Sequence, residues 1–258
     1  FKSPTDISKY LINFKNSSVY KSLTPLSKSR FDNLAPLVIE SSSKVNESDR
    51  SLISFFNFLA KLAKRSSYLS LLRENPNVLD LMLKITSFDP LIIEKVAENP
   101  IIIDDLLNTE NFLKPVELDN EIDELINKLK QSSPDIEFKI NQIRQFKNSI
   151  VFKLAVQEIM GIFPVENISD TLSETADFIV EQLLRLVWFQ IYPKKKYPPI
   201  AVIAYGKLGG KEMSYLSDLD LVFLYQDDEK YSSEQYLKLI QRFNSWATSY
   251  TGLGFLYD

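Results

Sequence analysis

The 258-residue chain has no cysteine and no histidine. Their absence excludes disulfides, thiolate nucleophiles, Ser-His-Asp machinery and the usual zinc ligand sets, and leaves carboxylates as the only strong metal ligands. No run of 18 apolar residues occurs, so no segment has the pattern of a membrane-spanning helix. The start, Phe1-Lys2-Ser3-Pro4, has neither an initiator methionine nor a signal-peptide pattern. Phe1 therefore looks like a cut end, and the chain like a fragment of something longer. The lack of cysteine is compatible with a cytoplasmic address. Glycine is scarce as well, with only six residues.

What remains is globular in composition, 45% hydrophobic and 25% charged, with length for one large or two ordinary domains. The net charge of −4 is uneven: Pro199 to Asp258 holds five Lys/Arg against eight Asp/Glu. That acidic balance argues against a nucleic-acid partner, because such binders neutralise phosphates with clustered Lys and Arg.

The organising stretch is Ile200 to Tyr225, IAVIAYGKLGGKEMSYLSDLDLVFLY. Ala201 to Tyr205 and Leu219 to Tyr225 are apolar runs bounded by prolines, glycines or charges, which predicts two buried strands. Between them, Gly206, Gly209 and Gly210 fall within five residues, where a backbone can approach a ligand or take positive φ. Asp218 and Asp220 open the second strand, and alternation sends both to one face, roughly 6.6 Å apart at about 3.3 Å per residue. Leu219, Leu221 and Phe223 point the other way. Two like charges this close call for a counter-charge, and Mg²⁺ binds through one or two carboxylates plus substrate phosphates. The implied ligands are a divalent metal and a nucleoside triphosphate.

The first 192 residues are patterned as helices. Ile7, Tyr10, Leu11 and Phe14 follow Pro4 at helical spacing. Thr24-Pro25 opens an element whose stripe Phe31, Leu34, Leu37 and Val38 is interrupted by Pro36, with a polar loop at Ser41 to Asp49. Leu52, Phe55, Phe56, Leu59 and Leu62 form one buried helix face. Glu74-Asn75-Pro76 recurs as Glu98-Asn99-Pro100, each with an aspartate four residues past the proline (Asp80, Asp104), and each Asn-Pro pair ends one helix and starts the next. Phe88-Asp89-Pro90 is another break. Asn108 to Pro115 is a loop, and Leu118 to Lys130 a charged helix. Ser133-Pro134-Asp135 supplies a cap, a first-turn proline and an acid for a helix of about 27 residues reaching Gly161. A further helix runs from about Ser169 to Tyr192. Lys194, Lys195 and Lys196 then form a solvated, proline-bounded loop. After the two strands come a helix from Glu234 to Ser249 and a third strand beginning at Gly254.

The arrangement of glycines and D-x-D acids resembles the polymerase-β-type nucleotidyltransferase superfamily. The whole string GKLGGKEMSYLSDLDLVF is similar to the signature of the glutamine synthetase adenylyltransferase family. The resemblance is strong over Tyr205 to Phe223 and fair over Gly252 to Asp258. It extends to Ala63-Lys64-Arg65-Ser66-Ser67-Tyr68-Leu69 and Glu74-Asn75-Pro76, which look like the linker helices before the second of the family's two catalytic units.

This resemblance implies an α+β fold: a helical linker and packing region, 1–192, then the start of a nucleotidyltransferase domain, 193–258, with a small mixed sheet. Asp218 and Asp220 would hold Mg²⁺, Gly209 and Gly210 would set backbone N–H groups against the triphosphate of ATP, and Ser217 would bond a phosphate oxygen. Lys207 and Lys211 would reach phosphate. The implied reaction is transfer of AMP to a tyrosine of glutamine synthetase, with phosphorolytic removal of AMP as the alternative activity and a helical docking role as a third reading. A PII-type signalling protein is an implied partner of the full-length enzyme; no membrane is. The family's third carboxylate would fall about two residues beyond Asp258, so this fragment alone is expected to be inactive.

Overall fold

The protein was studied as a computed structural model, which describes residues 1–88, 93, 96, 103, 106–107, 114–131, 135–227, 230–251 and 253–257. The chain divides into two compact units, Phe1–Lys114 and Pro115–Asp258. The sequence boundary at Tyr192 and Pro193 marks the passage from helix to sheet inside the second unit.

The first unit is helical over its described residues: α1 (Pro4–Asn16), α2 (Ser18–Lys21), α3 (Pro25–Ser42), α4 (Ser48–Leu62), a 3-10 turn (Ala63–Arg65), α5 (Ser67–Glu74) and α6 (Pro76–Phe88). Phe14, Phe31 and Phe56 knit α1, α3 and α4 together, with ring centroids 5.3 to 5.5 Å apart in stacked and edge-on pairs. Leu52, Phe55, Phe56, Leu59 and Leu62 are all buried, as their spacing predicts. Pro36 does not break its helix: α3 runs through it. Phe31, Leu34 and Val38 face the core while Pro36 is exposed, so water can satisfy the carbonyl its missing N–H leaves unpaired. The first Asn-Pro pair separates α5 from α6; the second, the break at Asp89-Pro90 and most of the Asn108 to Pro115 loop lie outside the described residues.

The second unit begins with α7 (Leu118–Gln131), α8 (Ile136–Ile159) and α9 (Val165–Ile191). Asp135 is the cap of α8, its carboxylate accepting from the Glu137 N–H at 3.0 Å, two residues later than the sequence placed it; Ser133 and Pro134 lie outside the described residues. The last helix before the sheet starts at Val165, not Ser169. Pro164 fixes an extended entry there, and Ile168, Leu172, Ala176, Ile179, Leu183 and Val187 then keep one buried face in phase. No helix among the described residues is long and apolar enough to cross a membrane.

Strands β1 (Ile200–Tyr205) and β2 (Asp220–Tyr225) pair antiparallel, Ile200 with Tyr225 through to Tyr205 with Asp220. The short helix α10 (Gly206–Gly209) follows β1 directly, and α11 (Ser233–Thr248) follows β2, opened by a reciprocal Ser232/Gln235 capping box. α11 covers the inner sheet face, with Phe243 edge-on to Phe223 at 5.6 Å and Tyr236 stacked on Tyr225 at 4.4 Å.

The expected third strand is not formed by residues 253–257. The Leu256 and Tyr257 N–H groups donate to the Ala247 carbonyl, and the carbonyls of Leu253 and Leu256 are taken by side chains of α8, so no ladder is available. Asp258 is outside the described residues.

Candidate active site

Alternation along the strand pair decides which side each group occupies. Ile200, Val202, Ala204, Leu219, Leu221 and Phe223 pack half-buried against the core. Ile203, Tyr205, Val222 and Leu224 point outward, Tyr205 58% and Leu224 50% exposed. Asp220 stands opposite Tyr205 and shares this open face. Asp218, two residues earlier in the approach to β2, is exposed too. The sequence expectation that the acids face away from Leu219, Leu221 and Phe223 matches this placement.

The three glycines have different reasons. Gly206 takes φ +55°, and a Cβ there would lie 2.4 Å from Asp220 Oδ2, so the carboxylate rests on the bare glycine backbone. At Gly209 a Cβ would come 2.4 Å from the Ala204 carbonyl oxygen, so this glycine lets α10 sit against β1. At Gly210 a Cβ would make only ordinary contacts, 3.5 Å from the Gly206 oxygen. The Gly210 N–H already donates to that oxygen at 3.0 Å.

Beyond the glycines the loop is closed by its own side chains and by two helices. Leu208 and Met213 are buried anchors. Ser217, 6% exposed, accepts from the Ser214 N–H at 2.9 Å, and its Oγ lies 2.9 Å from Ser214 Oγ. Tyr215 donates its phenol to Glu158 at the end of α8, 2.5 Å away. Burial first, and then this carboxylate, push the Tyr215 phenol far above its ordinary range. Lys211, at φ +54°, lies where its charge opposes the burial that raises the Asp177 carboxyl on α9. Lys207 is exposed on α10.

The sequence reading missed Tyr215 and Glu158. Their separation of 57 residues hides the pair, and the one available signal is an aromatic ring standing in a small, polar turn.

A cavity of about 340 Å³ lies on the opposite, inner side of the sheet, bordered by Val202, Ala204, Leu221, Asp177 and the Glu181–Arg185 ion pair of α9. The two acids therefore sit on an open surface, not in this cavity. Among the described residues no three Asp or Glu side chains gather closely enough to hold a metal on their own.

A glycine turn thus seats one acid of a D-x-D pair on a strand pair backed by helices. The family model for glutamate-ammonia ligase adenylyltransferase matches residues 79–258, and the chain belongs to that family. It is 33% identical over 254 residues to a bifunctional glutamine synthetase adenylyltransferase/adenylyl-removing enzyme of Neisseria meningitidis serogroup A, covering 98% of this chain and 28% of that protein. Enzymes of the same description from Nitrosomonas europaea (33% over 268 residues, 100% of this chain and 28% of the relative) and Aromatoleum aromaticum (34% over 232 residues, 90% and 25%) are similar. The chain thus spans under a third of the length of these relatives.

Proposed function

We propose that the protein carrying this chain transfers AMP from ATP to a tyrosine of glutamine synthetase, and that residues 193–258 belong to its nucleotidyltransferase domain. The observation that carries this reading is the seating of Asp220 on Gly206, with Asp218 exposed two residues before it. The donor set fits Mg²⁺: two hard carboxylate oxygens leave positions for phosphate and water. Bound there, Mg²⁺ would offset the negative charge of the triphosphate and of the leaving pyrophosphate.

The tyrosine hydroxyl attacks the α-phosphorus in line, an O–P bond forms, the phenolic proton passes to solvent, the bond to the α,β-bridging oxygen breaks, and pyrophosphate leaves. Asp218 and Asp220 would hold Mg²⁺ beside the triphosphate, while Gly209 and Gly210 would allow the triphosphate to approach the backbone closely. The Ser217 hydroxyl can turn its proton to a phosphate oxygen when Ser214 Oγ acts as donor within their pair. Lys207 and Lys211 add positive charge at the rim. The names of the relatives also carry an adenylyl-removing activity, and phosphorolytic removal of AMP is the alternative reading. A PII-type signalling protein as regulator and a cytoplasmic location complete the proposal.

Asp218→Asn in the protein carrying this chain is expected to abolish labelled-AMP transfer to glutamine synthetase while leaving the far-UV circular dichroism unchanged; undiminished transfer would overturn the assignment. Incubation with adenylylated glutamine synthetase and phosphate separates the directions, because ADP release marks the reverse reaction.

A further inference from the structure

The first unit holds a groove of about 960 Å³ between α1–α2 on one side and α4 with its 3-10 turn on the other. Its floor is apolar, with Phe14 and Leu62 buried, and Val19 stands on its wall 49% exposed. One wall carries Lys61, Lys64 and Arg65, all exposed, and none of them makes an ion pair with a described residue. Elsewhere in the unit Lys2, Lys9, Lys15 and Lys44 each pair with an acid. Among the described residues, no Asp or Glu lines the groove. Residues 1–114 hold 15 Lys/Arg against 13 Asp/Glu, a positive balance in a chain whose net charge is −4.

We propose that this groove docks an acidic amphipathic peptide segment of a partner protein. Aliphatic side chains of the segment would lie against Phe14, Val19 and Leu62, and its carboxylates would face Lys61, Lys64 and Arg65. A helix laid in a groove presents apolar and charged positions three and four residues apart, which suits a wall of cations beside an apolar floor. The volume is at the upper end of the range for small-molecule pockets, about 300–1,000 Å³, and accommodates several side chains more naturally than one small anion. Charge complementarity of this kind sets partner choice and approach rate.

The test is fluorescence anisotropy of the whole chain with a labelled peptide of about 14 residues, glutamates and leucines at helical spacing. Saturable binding is expected, weakened about tenfold or more by Lys64→Glu/Arg65→Glu and also by Val19→Asp, and weakened by raising NaCl from about 0.05 to 0.5 M. Lys194→Glu/Lys195→Glu/Lys196→Glu, a larger loss of basic charge elsewhere, should leave it unchanged. Circular dichroism checks that each variant folds, and the charge variant decides the matter if Val19→Asp does not. Absence of saturable binding, equal affinity for the peptide with glutamine in place of glutamate, or equal loss in the Lys194–Lys196 variant would overturn the proposal. Displacement of the peptide by inorganic tripolyphosphate at equal concentration would overturn it in favour of a small-anion site.

Discussion

At position 206 a methyl group would meet a carboxylate oxygen, whereas at 209 it would meet backbone. The difference separates two kinds of damage. Gly206→Ala should cost about 1 kcal/mol of stability, chiefly from the positive φ, since the far end of an aspartate can move aside. Moving that carboxylate by an ångström or so should nonetheless lower AMP transfer about 100-fold. Gly209→Ala should do the reverse, destabilising by about 2 kcal/mol or more, because the Ala204 carbonyl has nowhere to go. Gly210→Ala should change stability least. Urea denaturation and a transfer assay on the three variants check the order. The clustering of these glycines is plain in the sequence, but which one makes room for a strand carbonyl and which for a carboxylate depends on atoms up to 14 residues away. The alternation of Asp218, Leu219, Asp220 and Leu221 was legible, because a strand with one buried face enforces it.

The element that organises the second unit is α8, and the sequence hides this. Its mixed surface buries Ile143, Ile150 and Leu154 together with Arg144, so its apolar stripe is not clean. Arg144, 2% exposed, donates to the carbonyls of Trp246 and Ser249 and to Ser249 Oγ at 3.3, 3.0 and 2.7 Å. Lys147 donates to the Leu256 carbonyl and lies 3.8 Å from the Tyr257 ring centroid, and Asn148 donates to the Leu253 carbonyl at 3.1 Å. One helix thus fixes the chain that follows α11, while its far end holds Tyr215. Arg144→Met should cost about 3 kcal/mol, because it strands buried carbonyls, and Arg144→Lys should recover only part of that, since one ammonium cannot meet both Asn141 Oδ1, which Nη1 reaches at 3.0 Å, and the Trp246 and Ser249 acceptors of Nη2. Faster hydrogen exchange confined to residues 246–257 would accompany it. Removing the other tether, Tyr215→Phe, should raise the KM for ATP more than it lowers kcat. Apolar residues from Gly254 to Tyr257 suit a ladder, and periodicity cannot register that α8 has already claimed the carbonyls of Leu253 and Leu256.

Across the whole molecule the missing histidines return as a pH profile. No side chain has an ordinary pKa between about 5 and 8, so stability should be nearly level from about pH 6 to 9. Burial pushes Tyr10 and Tyr197 up to about 12, and Tyr215 and Tyr257 higher still. In the unfolded chain these phenols ionise near 10, so above that pH the folded state holds more protons than the unfolded one. Their contribution is fully present below pH 10 and is lost as pH rises through the folded values. Thermal melts from pH 6 to 12 should therefore show a plateau and then an alkaline fall. A maximum near pH 6.5 would contradict this. The helical region and the strand pair were legible because packing faces repeat at fixed spacing, whereas the division at Lys114 was not. Net charge differs between the units, +2 over residues 1–114 (15 Lys/Arg against 13 Asp/Glu) and −6 over the rest (15 against 21), but the change is spread along the chain and marks no boundary residue.

The rest of Asp220 against Gly206 also binds the two positions together in heredity. A lineage that acquires any side chain at 206 has, in the same step, displaced its acid, so glycine there can be lost freely only by a descendant that no longer needs the carboxylate. In such a descendant, pruning position 220 to alanine removes the collision and leaves only the backbone penalty. The two substitutions should then be nearly additive in stability and strongly epistatic in activity. A relative with a side chain at the position equivalent to Gly206 is expected to keep this fold while binding no divalent cation at that strand end, which calorimetric titration with Mg²⁺ and ATP would reveal.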